Sequence, residues 1–236
     1  MARSRSRKFR KLLALVLLAV LALVFWPEHV TVDPPADAPA NARPDLPWNL
    51  TLVNRNSGLP DGYRFTLTHS RDGVKVDRRI AAELERMLDA AEAQGFEVHL
   101  NAGYRTSAEQ RALFDEKTAS FQSTGYDEQT AHALAAQWVS PPGTSEHELG
   151  LAVDIGTETL ALYDWLAAES WRYGFIQRYP PDKTALTGVS HEPWHYRYVG
   201  ESAASEMHAQ GLCLEEYVQT LAERIVARCT KSVRQL

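Results

Sequence analysis

The sequence predicts an α+β fold, a small and mainly antiparallel sheet surrounded by helices. Two observations predict it. Apolar residues recur at three- and four-residue spacing over residues 77–94, 107–118, 127–138, 159–174 and 214–228, so each of these stretches reads as a helix. Runs with strand character are fewer and shorter, and they cluster around one set of His, Asp and Glu residues. The chain has 236 residues, 44% of them hydrophobic, which is ordinary for a globular core.

The N-terminal part stands outside that core. Arg3, Arg5, Arg7, Lys8, Arg10 and Lys11 precede an uninterrupted apolar stretch from Leu12 to Trp26, the order of a signal sequence or signal anchor. The stretch is about 15 residues long against about 17 to 25 for a spanning helix. Trp26, His29 and Val30 extend its reach. Small-x-small patterns at Ala36-Asp37-Ala38 and Ala40-Asn41-Ala42 lie far beyond the apolar stretch for processing sites. An uncleaved membrane anchor over residues 1–29 is therefore expected, with a cleaved signal and a secreted or periplasmic product as the alternative. Residues 30–45, rich in Pro, Ala and Asp, read as an extended tether. Residues 46–236 read as the folded domain. Setting the six basic residues aside leaves 19 Lys and Arg against 30 Asp and Glu, a balance of −11, which gives no general attraction to nucleic acid.

Along the domain, residues 96–100 read as a strand, and Thr106 or Ser107 followed by Glu109 or Gln110 is a capping-box start for the next helix. Arg105 then sits at a strand-to-helix turn, where a guanidinium can reach into a cleft. Pro141-Pro142-Gly143 opens a loop carrying Ser145 and His147. Residues 150–155 alternate Leu151, Val153 and Ile155 with Ala152 and Asp154, which reads as a strand holding Asp154 on a rigid element. Pro193 biases Glu192 towards extended backbone, and Trp194, Tyr196 and Tyr198 favour a strand from about His195 onward. A bend near Pro193 would have to bring Glu192 and His195 to one place. His191, beside Glu192, is placed to donate a hydrogen bond to the site, but an extended strand points it to the opposite face, towards solvent or packing. Cys213 and Cys229 flank a single expected helix whose ends lie about 24 Å apart, so a direct disulfide requires that helix to break.

His147, Asp154 and His195 supply two imidazoles and one carboxylate, three protein ligands that leave a fourth position open on a zinc ion, as a catalytic site requires. Glu192 stands beside the last ligand as a candidate general base. The strings Ser145-Glu-His-Glu-Leu-Gly-Leu-Ala-Val-Asp154 and Glu192-Pro-Trp-His-Tyr-Arg-Tyr198 resemble the signature of the zinc-dependent D-Ala-D-Ala carboxypeptidases of the VanY type, relatives of the D-Ala-D-Ala dipeptidases that share the Hedgehog signalling-domain fold. Ala102-Gly-Tyr-Arg-Thr-Ser-Ala-Glu-Gln110, Pro141-Pro-Gly-Thr-Ser145 and Gly174-Phe-Ile-Gln-Arg-Tyr-Pro180 are similar to further family segments, and together the resemblance covers roughly residues 45 to 225.

The resemblance implies one bound zinc ion on His147, Asp154 and His195, Glu192 as catalytic base, and Arg105 in oxyanion or carboxylate binding. It also implies Gln110, Ser145 and Tyr179 as substrate contacts. The implied substrate is a peptidoglycan stem peptide ending in D-Ala, cleaved outside the cytoplasm in the cell envelope, with no obligate protein partner. L,D-carboxypeptidase or endopeptidase action on the same wall peptides, and a zinc-stabilised module that binds wall peptides without cleaving them, remain as alternatives.

Overall fold

The computed structural model describes residues 46–157 and 159–233. The expected anchor and tether in residues 1–45 lie outside the described residues. Among the described residues no helix is long and apolar enough to cross a membrane.

Two short strands, β1 (Leu67–His69) and β2 (Lys75–Asp77), pair antiparallel and precede α1 (Ala81–Ala93). β2 takes up the start of the expected 77–94 helix, because its backbone pairs with β1 up to Asp77 and turns before Ala81. Leu84, Met87, Leu88 and Ala91 give α1 one buried stripe. β3 (His99–Ala102) lies slightly later than the expected 96–100 strand and leads through Gly103–Arg105 into α2 (Ser107–Ser123). Thr106 and Glu109 form the capping box, with Thr106 N–H donating to Glu109 Oε2 at 2.7 Å and Glu109 N–H to Thr106 Oγ1 at 3.2 Å. α3 is shorter than expected, Glu128–Ala135, and is capped by Asp127.

β4 (Ala152–Gly156) is followed by α4 (Ala161–Glu169), and the expected 159–174 helix breaks there into a 3₁₀ turn that Gly174 ends at φ 79°. β5 (Phe175–Tyr179), the single-turn helix α5 (Thr184–Thr187), β6 (Glu192–Tyr198), α6 (Glu201–Gln210) and α7 (Leu214–Val233) complete the order. α7 is continuous, so the break that a Cys213–Cys229 bridge needs is absent, and Cys213 is a buried free thiol.

The main sheet has the order β3-β4-β6-β5 and is antiparallel throughout. Val153 pairs with Tyr196 on the face that packs on α1 and α4, where Leu84, Leu88, Leu162, Leu166 and Phe175 close the core. Asp154 pairs with His195 on the other face. Side chains directly opposite one another on an antiparallel pair are neighbours, so the sheet register itself places a carboxylate beside an imidazole. A second apolar cluster joins Leu50, Val199, Ala204, Met207, Leu214 and Tyr217, seating α6 and α7 against the sheet edge and the start of the domain.

Candidate active site

Three local devices aim the site. The first is a 3₁₀ turn, Glu146–Leu149, ended by Gly150 in the left-handed region at φ 70°. The left-handed backbone favours glycine, and a Cβ there would also be tight, 3.1 Å from Asp77 N and 3.3 Å from the Phe65 ring. This reversal folds His147 back over β4. The second is Gly103, whose carbonyl accepts His147 Nδ1–H at 2.7 Å. A Cβ at Gly103 would strike Lys75 O and stand 2.6 Å from Val74 Cγ1, so only glycine lets β3 run this close to β2.

The third device is a bulge in β6. Tyr179 lies opposite Glu192 and Gln177 opposite Tyr196, so Pro193–His195 oppose Arg178 alone. Residues three apart on a regular strand face opposite ways, and the bulge cancels that alternation. Proline, which has no N–H to lose, suits the position. Glu192 Oε2 thereby comes within 3.9 Å of His195 Nδ1. The bend expected near Pro193 is thus a bulge inside a strand that starts at Glu192, three residues earlier than expected.

The donor atoms converge. His147 Nε2 lies 3.4 Å and His195 Nδ1 3.0 Å from the same oxygen, Asp154 Oδ1, and one ligand atom from each residue falls within 4.8 Å of the others. The surrounding charge favours a cation here. Burial opposes charge on His195, yet Asp154 and Glu146 outweigh it and pull the imidazole up to about 9. Burial would raise Asp154, but the two imidazoles hold it well below the usual carboxylate range. Burial keeps His147 neutral by lowering it. Two imidazole nitrogens and a carboxylate oxygen in a cation-favouring pocket fit zinc, whose usual donors these are. Burial pushes Glu192 up to about 7, against the pull of His195.

All eight residues singled out from the sequence, Arg105, Gln110, Ser145, His147, Asp154, Tyr179, Glu192 and His195, line one cleft of about 440 Å³. Arg105 Nη2 donates to Asp154 Oδ2 at 2.7 Å, so one arm of the guanidinium steadies the candidate metal ligand. Gln110 Nε2 donates to Ser140 O at 2.7 Å, which fixes the amide and leaves its buried Oε1 unpartnered in the cleft wall. Tyr179 packs its ring 4.9 Å from that of His195, and Ser145 is buried at the cleft beside the 3₁₀ turn. His191 lies just before β6 and is exposed. Leu113, Lys117, Trp138, Val189 and Trp194, which no motif marks as site residues, also line the cleft. Glu146 lies inside the Ser145-Glu-His string without any local sign of a role, and it is fully buried beside His195.

A family profile described as VanY, D-alanyl-D-alanine carboxypeptidase, matches residues 73–201. The chain belongs to the VanY family. It is 49% identical over 178 residues to a D-alanyl-D-alanine carboxypeptidase of Enterococcus faecalis, a match that covers 73% of this chain and 66% of that relative. Among solved structures, VanYB in complex with D-alanine-D-alanine superposes with a TM-score of 0.72 at 49% identity, covering 74% of this chain and 99% of that one. A mutant VanY D,D-pentapeptidase in complex with Zn(II) superposes at 0.70 with 48% identity, covering 73% and 99%. The matched span contains the candidate metal donors His147, Asp154 and His195 together with Arg105 and Glu192, all of which line the cleft. The fold expected from the resemblance is the fold found.

Proposed function

We infer that this VanY-family chain is a zinc-dependent D,D-carboxypeptidase that removes the terminal D-alanine from peptidoglycan stem peptides. The observation that carries the reading is the single cleft that brings together His147, Asp154, His195, Glu192 and Arg105. His147, Asp154 and His195 would hold the zinc ion, which would serve as a Lewis acid and lower the pKa of water to about 7.

The chain's own groups divide the remaining work. Glu192, whose carboxyl burial tunes to about 7, accepts the proton of the attacking water and delivers it to the leaving amine. Gly103 O holds His147 in the tautomer whose Nε2 faces Asp154. Arg105 spends one arm on Asp154 and presents the remaining N–H groups of its fork to the substrate's terminal carboxylate, a planar partner for a planar donor. Gln110 Oε1 accepts a peptide N–H, and the apolar wall of Leu113, Trp138, Val189 and Trp194 takes alanyl methyl groups. Ser145 and Tyr179 line the same wall.

Incubation with defined wall peptides tests the reading. A pentapeptide ending in D-Ala-D-Ala should lose one alanine, a tetrapeptide should stay intact, and a cross-linked dimer should not be split. Loss of alanine from the tetrapeptide alone would make the chain an L,D-carboxypeptidase instead. We further propose that residues 1–29 anchor the domain on the outer face of the membrane, on the strength of the basic-then-apolar order. Membrane partition with an intact N-terminus supports this; a soluble exported chain beginning near residues 37–43 refutes it.

A further inference from the structure

We propose that Glu146 is a positioning residue of the metal centre, whose carboxylate accepts the Nε2–H of His195 and so fixes which ring nitrogen that histidine turns towards the metal. The proposal rests on the reading of His147, Asp154 and His195 as zinc ligands.

Glu146 sits directly before a metal donor in sequence, yet its carboxylate is fully buried behind the site. One oxygen, Oε1, accepts from Arg178 Nε and from Arg197 Nη1, each at 2.8 Å. The other, Oε2, has no partner. The group that faces it is His195 Nε2 at 3.8 Å, which also has none. Buried polar atoms without partners are uncommon, and here two of them confront each other across a gap slightly too long for a hydrogen bond.

The chemistry of the ring explains the pairing. His195 presents Nδ1 to Asp154 at 3.0 Å, so Nδ1 is the nitrogen on the donor side of the site. A neutral imidazole carries one proton, and an Nδ1 that gives its lone pair to a metal leaves that proton on Nε2. An Nε2–H in this pocket needs an acceptor, and Glu146 Oε2 is the acceptor in place. His147 is arranged the same way in mirror image, with Nδ1–H on Gly103 O and Nε2 towards Asp154. Each ligand ring is therefore steered from behind, one by a neutral carbonyl and one by a carboxylate. A carboxylate behind a ligating histidine also strengthens the histidine as a donor.

The anchoring of Glu146 is rigid. Arg178 reaches past it to grip Glu215 at 2.8 and 2.6 Å, and Arg197 Nη2 donates to Thr51 O at 2.9 Å. Charges buried this deeply are costly to solvate in protein. Their placement against a metal ligand gives them a use beyond packing.

The test compares Glu146→Gln and Glu146→Ala with Glu215→Gln in the full chain. Glu215→Gln removes a carboxylate from the same Arg178 without touching His195, so it reports on the buried network alone. Zinc affinity is measured by competition with a chromophoric chelator above about pH 9, where no proton on His195 competes with the metal, alongside the melting temperature and the nitrogen resonances of His195 in labelled, zinc-loaded protein. The expected outcome is a roughly 10- to 100-fold weaker zinc affinity in Glu146→Ala, a smaller loss in Glu146→Gln because its amide oxygen still accepts, and wild-type affinity in Glu215→Gln whatever its melting temperature. Wild-type His195 should show a protonated Nε2 whose hydrogen exchanges slowly. Wild-type zinc affinity in a folded Glu146 variant, or a wild-type His195 bound through Nε2, would overturn the proposal. If Glu146→Ala does not fold, Glu146→Gln and the wild-type resonances decide alone. A wild-type chain that binds no zinc removes the metal reading itself and this proposal with it.

Discussion

Zinc binding should release one proton between about pH 7 and about pH 9, and the apparent affinity should rise with pH accordingly. In the metal-free site His195 is pulled up to about 9, against the cost of its burial, by Asp154 and Glu146. Below that value the imidazole is charged and must lose its proton to become a ligand. His147 contributes no proton, because burial already keeps it neutral, and Asp154 contributes none, because it is held ionised far below this range. Glu192 is ionised over most of the window, having been pushed up to about 7. One proton gives about a tenfold gain per pH unit below 9, so from pH 7 to the plateau above 9 binding should strengthen roughly 100-fold, about 2.7 kcal/mol. Above about 9 the dependence should flatten. Competition with a chelator of known proton linkage, repeated at half-unit steps, reads the slope. A flat profile would mean that the two carboxylates do not hold His195 as the structure implies, and a slope of two would mean that His147 is charged as well.

Glu192→Gln keeps side-chain size but cannot accept a proton, so zinc content should be unchanged while kcat falls about 10²- to 10⁴-fold; near wild-type turnover in the metallated variant would remove Glu192 as base. If Arg105 reads the terminal carboxylate, amidating the substrate should impair the wild type far more than Arg105→Ala, and Arg105→Lys should also be weak, since a point charge cannot reproduce the fork; equal losses in wild type and Arg105→Ala would leave only an oxyanion or structural role. Gly103→Ala forces a methyl group against Lys75 O and Val74 Cγ1, and should cost about 1–3 kcal/mol in chemical unfolding while loosening the carbonyl that steers His147; an unaltered unfolding midpoint would contradict the close approach of β3 and β2.

The parts of the site that were legible are those written in short strings. His147 and Asp154 are joined by one tight turn and the start of one strand, and Glu192 and His195 lie three positions apart, so their types and spacing can be read locally. The bulge that turns Glu192 and His195 to the same cleft could not, because it depends on how β6 pairs with β5. Glu146 was hidden for a similar reason. Its partners Arg178 and Arg197 come from two later strands, and only the sheet register brings all three together. In the fold, α1 and α2 announced themselves by a buried stripe and a capping box. α6 did not, because Ala203, Ala204 and Met207 make a narrow apolar face on an otherwise polar helix. β5 carries no clear signal, because Arg178, next to its last residue, is charged and yet fully buried against Glu146 and Glu215.

The most direct test of the account is the release of free D-alanine from a pentapeptide ending in D-Ala-D-Ala, followed for one preparation of the full chain as purified, after chelation, and after zinc is restored. The account predicts one alanine released per peptide by the zinc-loaded chain, none by the chelated chain, and recovery on adding zinc, with His195→Ala and Glu192→Gln, given the same zinc, both failing to restore the rate. Undiminished release by the fully chelated chain, or none by the zinc-loaded wild type, would contradict it.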